Sequence, residues 1–190
     1  MPRKVTPVPK GFRTVTPVLT VAGAHNAIEF YSHVMGAEER TRIHGVDGYS
    51  IAHSELKIGN SLVIVSDENP AFGIHAPSAV TGSAVNMHLY LADVDAVWTR
   101  AMEAGATVLV PLADTYWGER FGKFIDPFGH VWSLAQRIER LSAEEIAARA
   151  AALSAPVEVA PLDVAPLDAD GVAFALDVAE PVFEQAVEAA

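Results

Sequence analysis

TVTPVLTVAGAHNAIEFYSHVMGAEE, residues 14–39, and AVNMHLYLADVDAVWTRAMEAGATV, residues 84–108, carry the same pattern in the same order. Each opens with an apolar run suited to a strand, passes through a turn, and continues with apolar residues at helical spacing until a glycine, Gly36 or Gly105, stops the helix. Behind each comes a pair of β-rich runs. YSIAHSELKIGNSLVIVSDE (49–68) is joined through Gly59-Asn60, and RFGKFIDPFGHVWSLAQR (120–137) through Asp126-Pro127-Phe128-Gly129. Matching glycines lie about 70 residues apart, so the chain reads as one βαβββ unit written twice. A four-stranded sheet carrying one helix has one covered face and one bare face. Two such sheets side by side predict an α+β fold, a half-open cup of mixed β-sheet whose concave face is a pocket.

The two modules occupy about 12–68 and 84–137, joined by GIHAPSAVTGSA (73–84), and make one domain over 12–137. Residues 1–11 form an N-terminal arm. Over 138–153 a helix is expected, opened by a capping box in which Ser142 precedes Glu145 by three residues. From 154 to 190 the texture changes: VAPLDVAPLDA (159–169) is a short tandem repeat with too many prolines for a helix or a central strand. Residues 153–190 hold eight acidic residues and no Lys, Arg or His, which leaves −3 of the formal charge of −11 to everything before them. Such a tail is expected to be a solvated appendage, although FALDVAEPVFEQAVEAA (174–190) has the spacing of a short apolar-faced helix.

The same composition excludes several functions. Without cysteine there is no disulfide, no thiolate catalysis and no Cys-based zinc site. An acidic chain lacks the basic faces that nucleic acid requires. MPRKVTPVPKGF is broken by prolines before any signal-peptide core could form, and no run approaches the roughly 20 apolar residues of a membrane span. A soluble, cytoplasmic protein with no membrane or nucleic-acid partner is expected.

FRTVTPVLTVAGAHNAIEFY, HSELKIGNSLVIVSDE, HLYLADVDAVWTRAMEAGA and VPLADTYWGERFGKFIDPFGHVWSLA together resemble the vicinal oxygen chelate superfamily. This superfamily contains glyoxalase I, bleomycin resistance proteins and extradiol dioxygenases, and the likeness is to its PhnB-like branch. It spans about Phe12 to Gln136, with WGERFGKFIDPFGHVWSLA as its specific part. The resemblance implies a homodimer or an intramolecular pair of modules. It also implies a divalent metal, such as Zn, Ni, Mn or Fe, held by side chains from the first and fourth strands of each module. Carried over on the glycines Gly59 and Gly129 and on Asp93, those positions are Thr16 and Val63 in the first module, and Asn86 and Ser133 in the second. A valine cannot bind, and hydroxyls and amides are weak ligands for a transition metal, so no metal cofactor is expected.

His88 lies two residues beyond Asn86 on the same face of its strand and should point into the cup. His53 sits on the third strand of the first module, where the PhnB-like branch commonly has a histidine, as it does at His88. These two histidines could hold a metal with Glu68 or an external ligand, serve as general bases, contact a ligand, or simply be satisfied within the sheet. Tyr90 shares the face of His88. Trp117 and Arg120 enter the third strand of the second module at the rim, where they suit a flat or anionic ligand, unless Arg120 pairs with Glu119 or Asp126. Asp126-Pro127-Phe128-Gly129 is a turn rather than a site, and Asp93 and Asp95 are helix caps. His25, His33 and His44 show no partners, and His75 and His130 are weak loop candidates.

Three functions compete. A bleomycin-resistance-like protein would bind a small molecule in the cup through His53, His88, Tyr90, Trp117, Arg120, Thr16, Asn86 and Ser133, and would need no metal. A metal-dependent lyase, isomerase or dioxygenase would use a Lewis acid. A metal-free enzyme would use His53 or His88 as base, without a visible nucleophile or oxyanion hole. Binding is the leading expectation, and the metal enzyme is the alternative.

Overall fold

The computed structural model describes residues 5–77 and 83–153. The acidic tail and the middle of the inter-module connection lie outside the described residues. The chain divides between Arg140 and Leu141 into two compact units.

In the first unit, β1 (Val18–Val21), α1 (Ala24–Met35), β2 (Glu38–His44), β3 (Ile51–Ile58) and β4 (Ser61–Asp67) form one module. The second module is β5 (Asn86–Tyr90), α2 (Val94–Glu103), β6 (Thr107–Asp114), β7 (Glu119–Ile125) and β8 (Val131–Arg137). The sheets run β1-β4-β3-β2 and β5-β8-β7-β6. In each, the first strand is parallel to the fourth and the other pairs are antiparallel. The tandem βαβββ architecture of mixed sheet is therefore present, and each module places its first strand at one end of its sheet.

Both modules solve the problem of their helix N-terminus in the same way. The Asp67 carboxylate, at the end of β4, accepts from the backbone N–H groups of Gly23 and Ala24 at 3.0 and 2.7 Å, and from that of Ile51 at 2.7 Å. In the second module the Gln136 side chain accepts from Val94 N–H at 3.1 Å, and Asp93 caps Ala96 N–H at 3.0 Å. N–H groups at a helix start have no intrahelical acceptor, so these contacts lock each helix to its own fourth strand. Gly36 ends α1 at φ 66, in the left-handed conformation that glycine adopts without strain.

The modules share a core. The Asp126 carboxylate is nearly inaccessible, at 4% exposed. It accepts from Tyr31 Oη and Trp132 Nε1, both at 2.8 Å, and from the backbone N–H groups of Phe128 and His130, both at 2.9 Å. Four donors offset the cost of burying the charge. Burial, with the neighbouring Asp126 carboxylate, pushes the Tyr31 phenol well above its usual range, so it stays a donor. The Asp126–Gly129 stretch is thus the expected turn, and it also ties the second module to α1 of the first. On β7, a side chain at Gly122 would begin 2.6 Å from the Trp98 ring, so that glycine makes room for α2 against the sheet.

The second unit contains α3 (Ala143–Leu153), opened by the expected capping box: Glu145 Oε2 accepts from Ser142 N–H at 2.7 Å and Ser142 Oγ from Glu145 N–H at 3.2 Å.

The phase of the two fourth strands differs. On β4, Val63 and Val65 face the helix and join the core, while Leu62 and Ile64 share the opposite face with Lys57 and Glu55. On β8, Trp132 and Leu134 face the helix, and Ser133 shares the opposite face with Lys123 and His88. Val63 therefore points away from the cup, contrary to the position inferred from the glycines. Two residues, Gly59 and Asn60, separate Ile58 from Ser61, whereas five separate Ile125 from Val131. That odd difference makes an alignment on Gly59 and Gly129 reverse the faces, because side chains alternate with period 2.

Candidate functional site

Strand pairing lays out the bare face of the second module in rows. Lys123, Ser133 and His88 form one, Phe121, Ala135 and Tyr90 the next, and Glu119 lies opposite Arg137 beyond them. Asn86 precedes His88 by one pleat on the same face. Alternation along β5 turns Met87 and Leu89 toward the core and leaves Asn86, His88 and Tyr90 exposed.

Asn86, Ser133 and His88 form a short relay. Asn86 Nδ2 donates to Ser133 Oγ at 2.9 Å, and Ser133 Oγ lies 2.7 Å from His88 Nδ1. A serine hydroxyl has one proton, and among the described residues its acceptor is His88 Nδ1. Nδ1 is thereby committed to Ser133, and Nε2, which has no partner among the described residues, is the ring nitrogen left for a ligand. Ser133 is 0% exposed. No substrate can reach it as a nucleophile, so it orients the ring that substrate can reach.

Around the imidazole stand aromatic rings. His88 meets Tyr90 edge-on at 4.8 Å between centroids and stacks near Phe121 at 6.2 Å. Trp117 packs on Phe121 at 5.7 Å. Glu119 fixes the two outer rings by accepting from Tyr90 Oη at 3.1 Å and from Trp117 Nε1 at 2.9 Å. The hydrogen bond to Glu119, and then its charge, raise the Tyr90 phenol above its usual range, so Tyr90 remains protonated and bound. The result is a polar point set in a panel of flat apolar surface, with both edges held by hydrogen bonds. A groove of about 470 Å³ runs beside it, lined by His88, Tyr90 and the Gly59–Ser61 turn of the first module.

Five of the expected residues come together here: Asn86, His88, Tyr90, Trp117 and Ser133. The others do not. Arg120 turns to the helix face, where it pairs with Asp95 of α2 at 2.7 Å and with Asp114 at 2.8 Å, rather than with Glu119 or Asp126. The rim position inferred for it is corrected accordingly, because alternation on β7 places Arg120 and Phe121 on opposite faces. Thr16 precedes β1 and its hydroxyl donates to the Arg13 carbonyl at 3.1 Å. His53 lies on β3 of the other sheet, 3.5 Å from Glu55 Oε1, and no described hydrogen bond or ring contact joins it to His88. Glu68 accepts from Ala76 N–H at 3.1 Å. His130 is buried in the hairpin, with Nε2 3.0 Å from the Thr20 carbonyl.

The residues at the positions for a divalent metal do not suit one. Thr16 stands outside its strand, Val63 lies in the core, and Asn86 and Ser133 are spent on each other. Among the described residues, no group of three or more His, Asp or Glu side chains converges as a ligand set. Sequence reasoning missed two residues of the panel, Phe121 and Lys123, and weighed a third, Glu119, only as a partner for Arg120. The signal was present in RFGKFI (120–125): alternation alone separates Arg120, Gly122 and Phe124 from Phe121, Lys123 and Ile125.

The sequence model of the Glyoxalase/Bleomycin resistance protein/Dioxygenase superfamily matches residues 13–134. The uncharacterized protein Rv0887c of Mycobacterium tuberculosis is 39% identical over 137 residues, which cover 70% of this chain and 80% of that protein. Among solved structures, the Arabidopsis thaliana gene product At5g48480 is 29% identical, with a TM-score of 0.52, over 65% of this chain and 98% of the other. A Bacillus cereus PhnB protein, described as a putative 3-demethylubiquinone-9 3-methyltransferase, is 16% identical with a TM-score of 0.54, over 65% of this chain and 99% of the other.

Proposed function

This chain belongs to the glyoxalase/bleomycin resistance protein/dioxygenase superfamily, and from that premise we propose that it binds a small organic molecule on the bare face of its second module, without the superfamily's metal. One observation carries the reading: His88, with Nδ1 held by Ser133, presents an Nε2 that has no partner among the described residues from the middle of a panel made by Tyr90, Phe121 and Trp117. Pre-oriented polar groups beside flat apolar walls are what a small-molecule site needs, since they fix orientation while the walls supply contact area. Placement in the PhnB-like branch is part of the proposal, as are a cytoplasmic setting and a homodimer. The exposed apolar side chains Val18 on β1 and Val85 just before β5, 59% and 66% exposed, support the dimer. His53, Thr16 and Arg120 lie outside this minimal site.

A panel of flat heteroaromatic fragments, followed by NMR of the histidine and tryptophan ring nitrogens in the full chain, tests the reading. Fragments that bind should shift Trp117 Nε1–H and the His88 ring, leave Trp98 and Trp132 in place, and bind about tenfold more weakly to His88→Ala. If no fragment shifts Trp117 or His88, or if bound fragments shift other groups only, the proposal fails.

A further inference from the structure

We infer that the ligand is an aromatic anion, a flat ring bearing a carboxylate or an ionised hydroxyl, whose charged oxygens sit between His88 and Lys123. This rests on the small-molecule reading and adds the class of molecule to it. Lys123 shares a row with Ser133 and His88, through its pairing with Ser133 and that residue's pairing with His88. It is half-buried on the same bare face, and among the described residues it makes no hydrogen bond or ion pair. Its counterpart in the charge balance, Arg120, is already taken by two carboxylates on the helix face.

The row therefore holds two polar groups without a partner among the described residues, the Lys123 ammonium and His88 Nε2, flanking a serine that is buried and occupied. The next row toward the β6–β7 turn, Phe121 and Tyr90, offers rings, and Trp117 extends it. An oxyanion satisfies both at once through charge-assisted hydrogen bonds, and the ring attached to it lies over the aromatic row. A neutral planar molecule would satisfy the rings and leave the ammonium without an acceptor. The carboxylate of the panel, Glu119, is spent on Tyr90 and Trp117, so it stands as a wall and not as a competing partner for Lys123.

Isothermal titration of the full chain with 2-naphthoate and with neutral 2-naphthamide tests the inference, with Trp117 Nε1–H followed by NMR to place the probe. The wild type should bind naphthoate about tenfold more tightly than naphthamide. Lys123→Met and Lys123→Gln should abolish that preference by weakening naphthoate about tenfold. Equal affinity for both probes in the wild type, or a preference that survives both substitutions, overturns the aromatic anion and leaves small-molecule binding standing. Failure of both probes to shift Trp117 overturns the site and the inference with it.

Discussion

The two modules share a frame and differ on their bare faces. Both lock their helix to the fourth strand through a side chain at its C-terminal end, Asp67 in one and Gln136 in the other. Both pin the helix to the sheet with an arginine, Arg42 beside Glu39 and His25 in the first, Arg120 beside Asp95 in the second. On the bare side the likeness ends. Where the second module places Ser133 beside His88 under three aromatic rings, the first places Leu62 and Ile64 beside Lys57 and Glu55, with Gly11 of the N-terminal segment close to Leu62. A duplicated frame thus tolerates divergence on the face that does not hold it together, and the chemistry collects on one copy.

The largest expected effect tests whether the frame is shared or merely adjacent. Asp126→Ala removes the acceptor of the buried Tyr31 hydroxyl and Trp132 N–H and should cost on the order of 3 kcal/mol in urea unfolding. A single transition should persist if the two modules are one cooperative unit; separation into two transitions would show that they are not.

Core complementarity comes next. At one point of the helix–sheet interface the first module has Ile28 on its helix and Ser54 on its third strand, and the second has Trp98 and Gly122, as the pairings Ser54–Val65 and Gly122–Leu134 align them. Gly122→Val should destabilise by roughly 1–3 kcal/mol because the new Cβ meets the Trp98 ring and the Leu112 backbone. Adding Trp98→Ile should recover part of that loss, and strictly additive costs would refute the exchange of bulk between helix and strand.

The site itself should be asymmetric. Ser133→Ala should weaken binding of panel fragments by about fivefold with little change in stability, since it frees the His88 ring without exposing it to a new partner. Ile64→Ala in the first module should leave affinity unchanged. Equal effects from both would break the contrast between the faces.

The smallest effect concerns the arginine clasp of the first module. The hydrogen bond from Arg42 holds the Glu39 carboxyl below its usual range, against the opposing effect of burial. A depressed carboxyl pKa contributes stability above its unfolded value, about 4.3, that is lost as pH falls through the folded value. Glu39→Gln should therefore cost under about 1 kcal/mol at neutral pH and flatten the acid limb of the stability curve below about pH 4. An unchanged acid limb would show that the clasp contributes nothing.

Much of this was legible in the sequence because it rests on short-range pattern. The helix spacing, the stop at Gly36, the cap at Asp93, the turn at Asp126–Gly129 and the capping box at Ser142 each depend on a few neighbouring residues. The outward face of His88 followed from its spacing to Asn86 within one strand. Parity across a loop did not follow, since it depends on how many residues the turn absorbs, and Val63 was assigned to the wrong face for that reason. Arg120 was misplaced although the alternation in RFGKFI separates it from Phe121; Lys123 went unnoticed, and Glu119 was weighed only as a partner for Arg120, because their roles depend on strand pairing rather than on motif.

We expect Asn86 and Ser133 to hold His88 with its proton on Nε2, the nitrogen left for a ligand. The ¹⁵N chemical shifts of the His88 ring in the full chain read this directly at neutral pH. A protonated Nε2 with an acceptor-type Nδ1, reverting to a mixture in Ser133→Ala, is the expected result. A proton fixed on Nδ1, or a wild-type ring already averaging between tautomers, would contradict it.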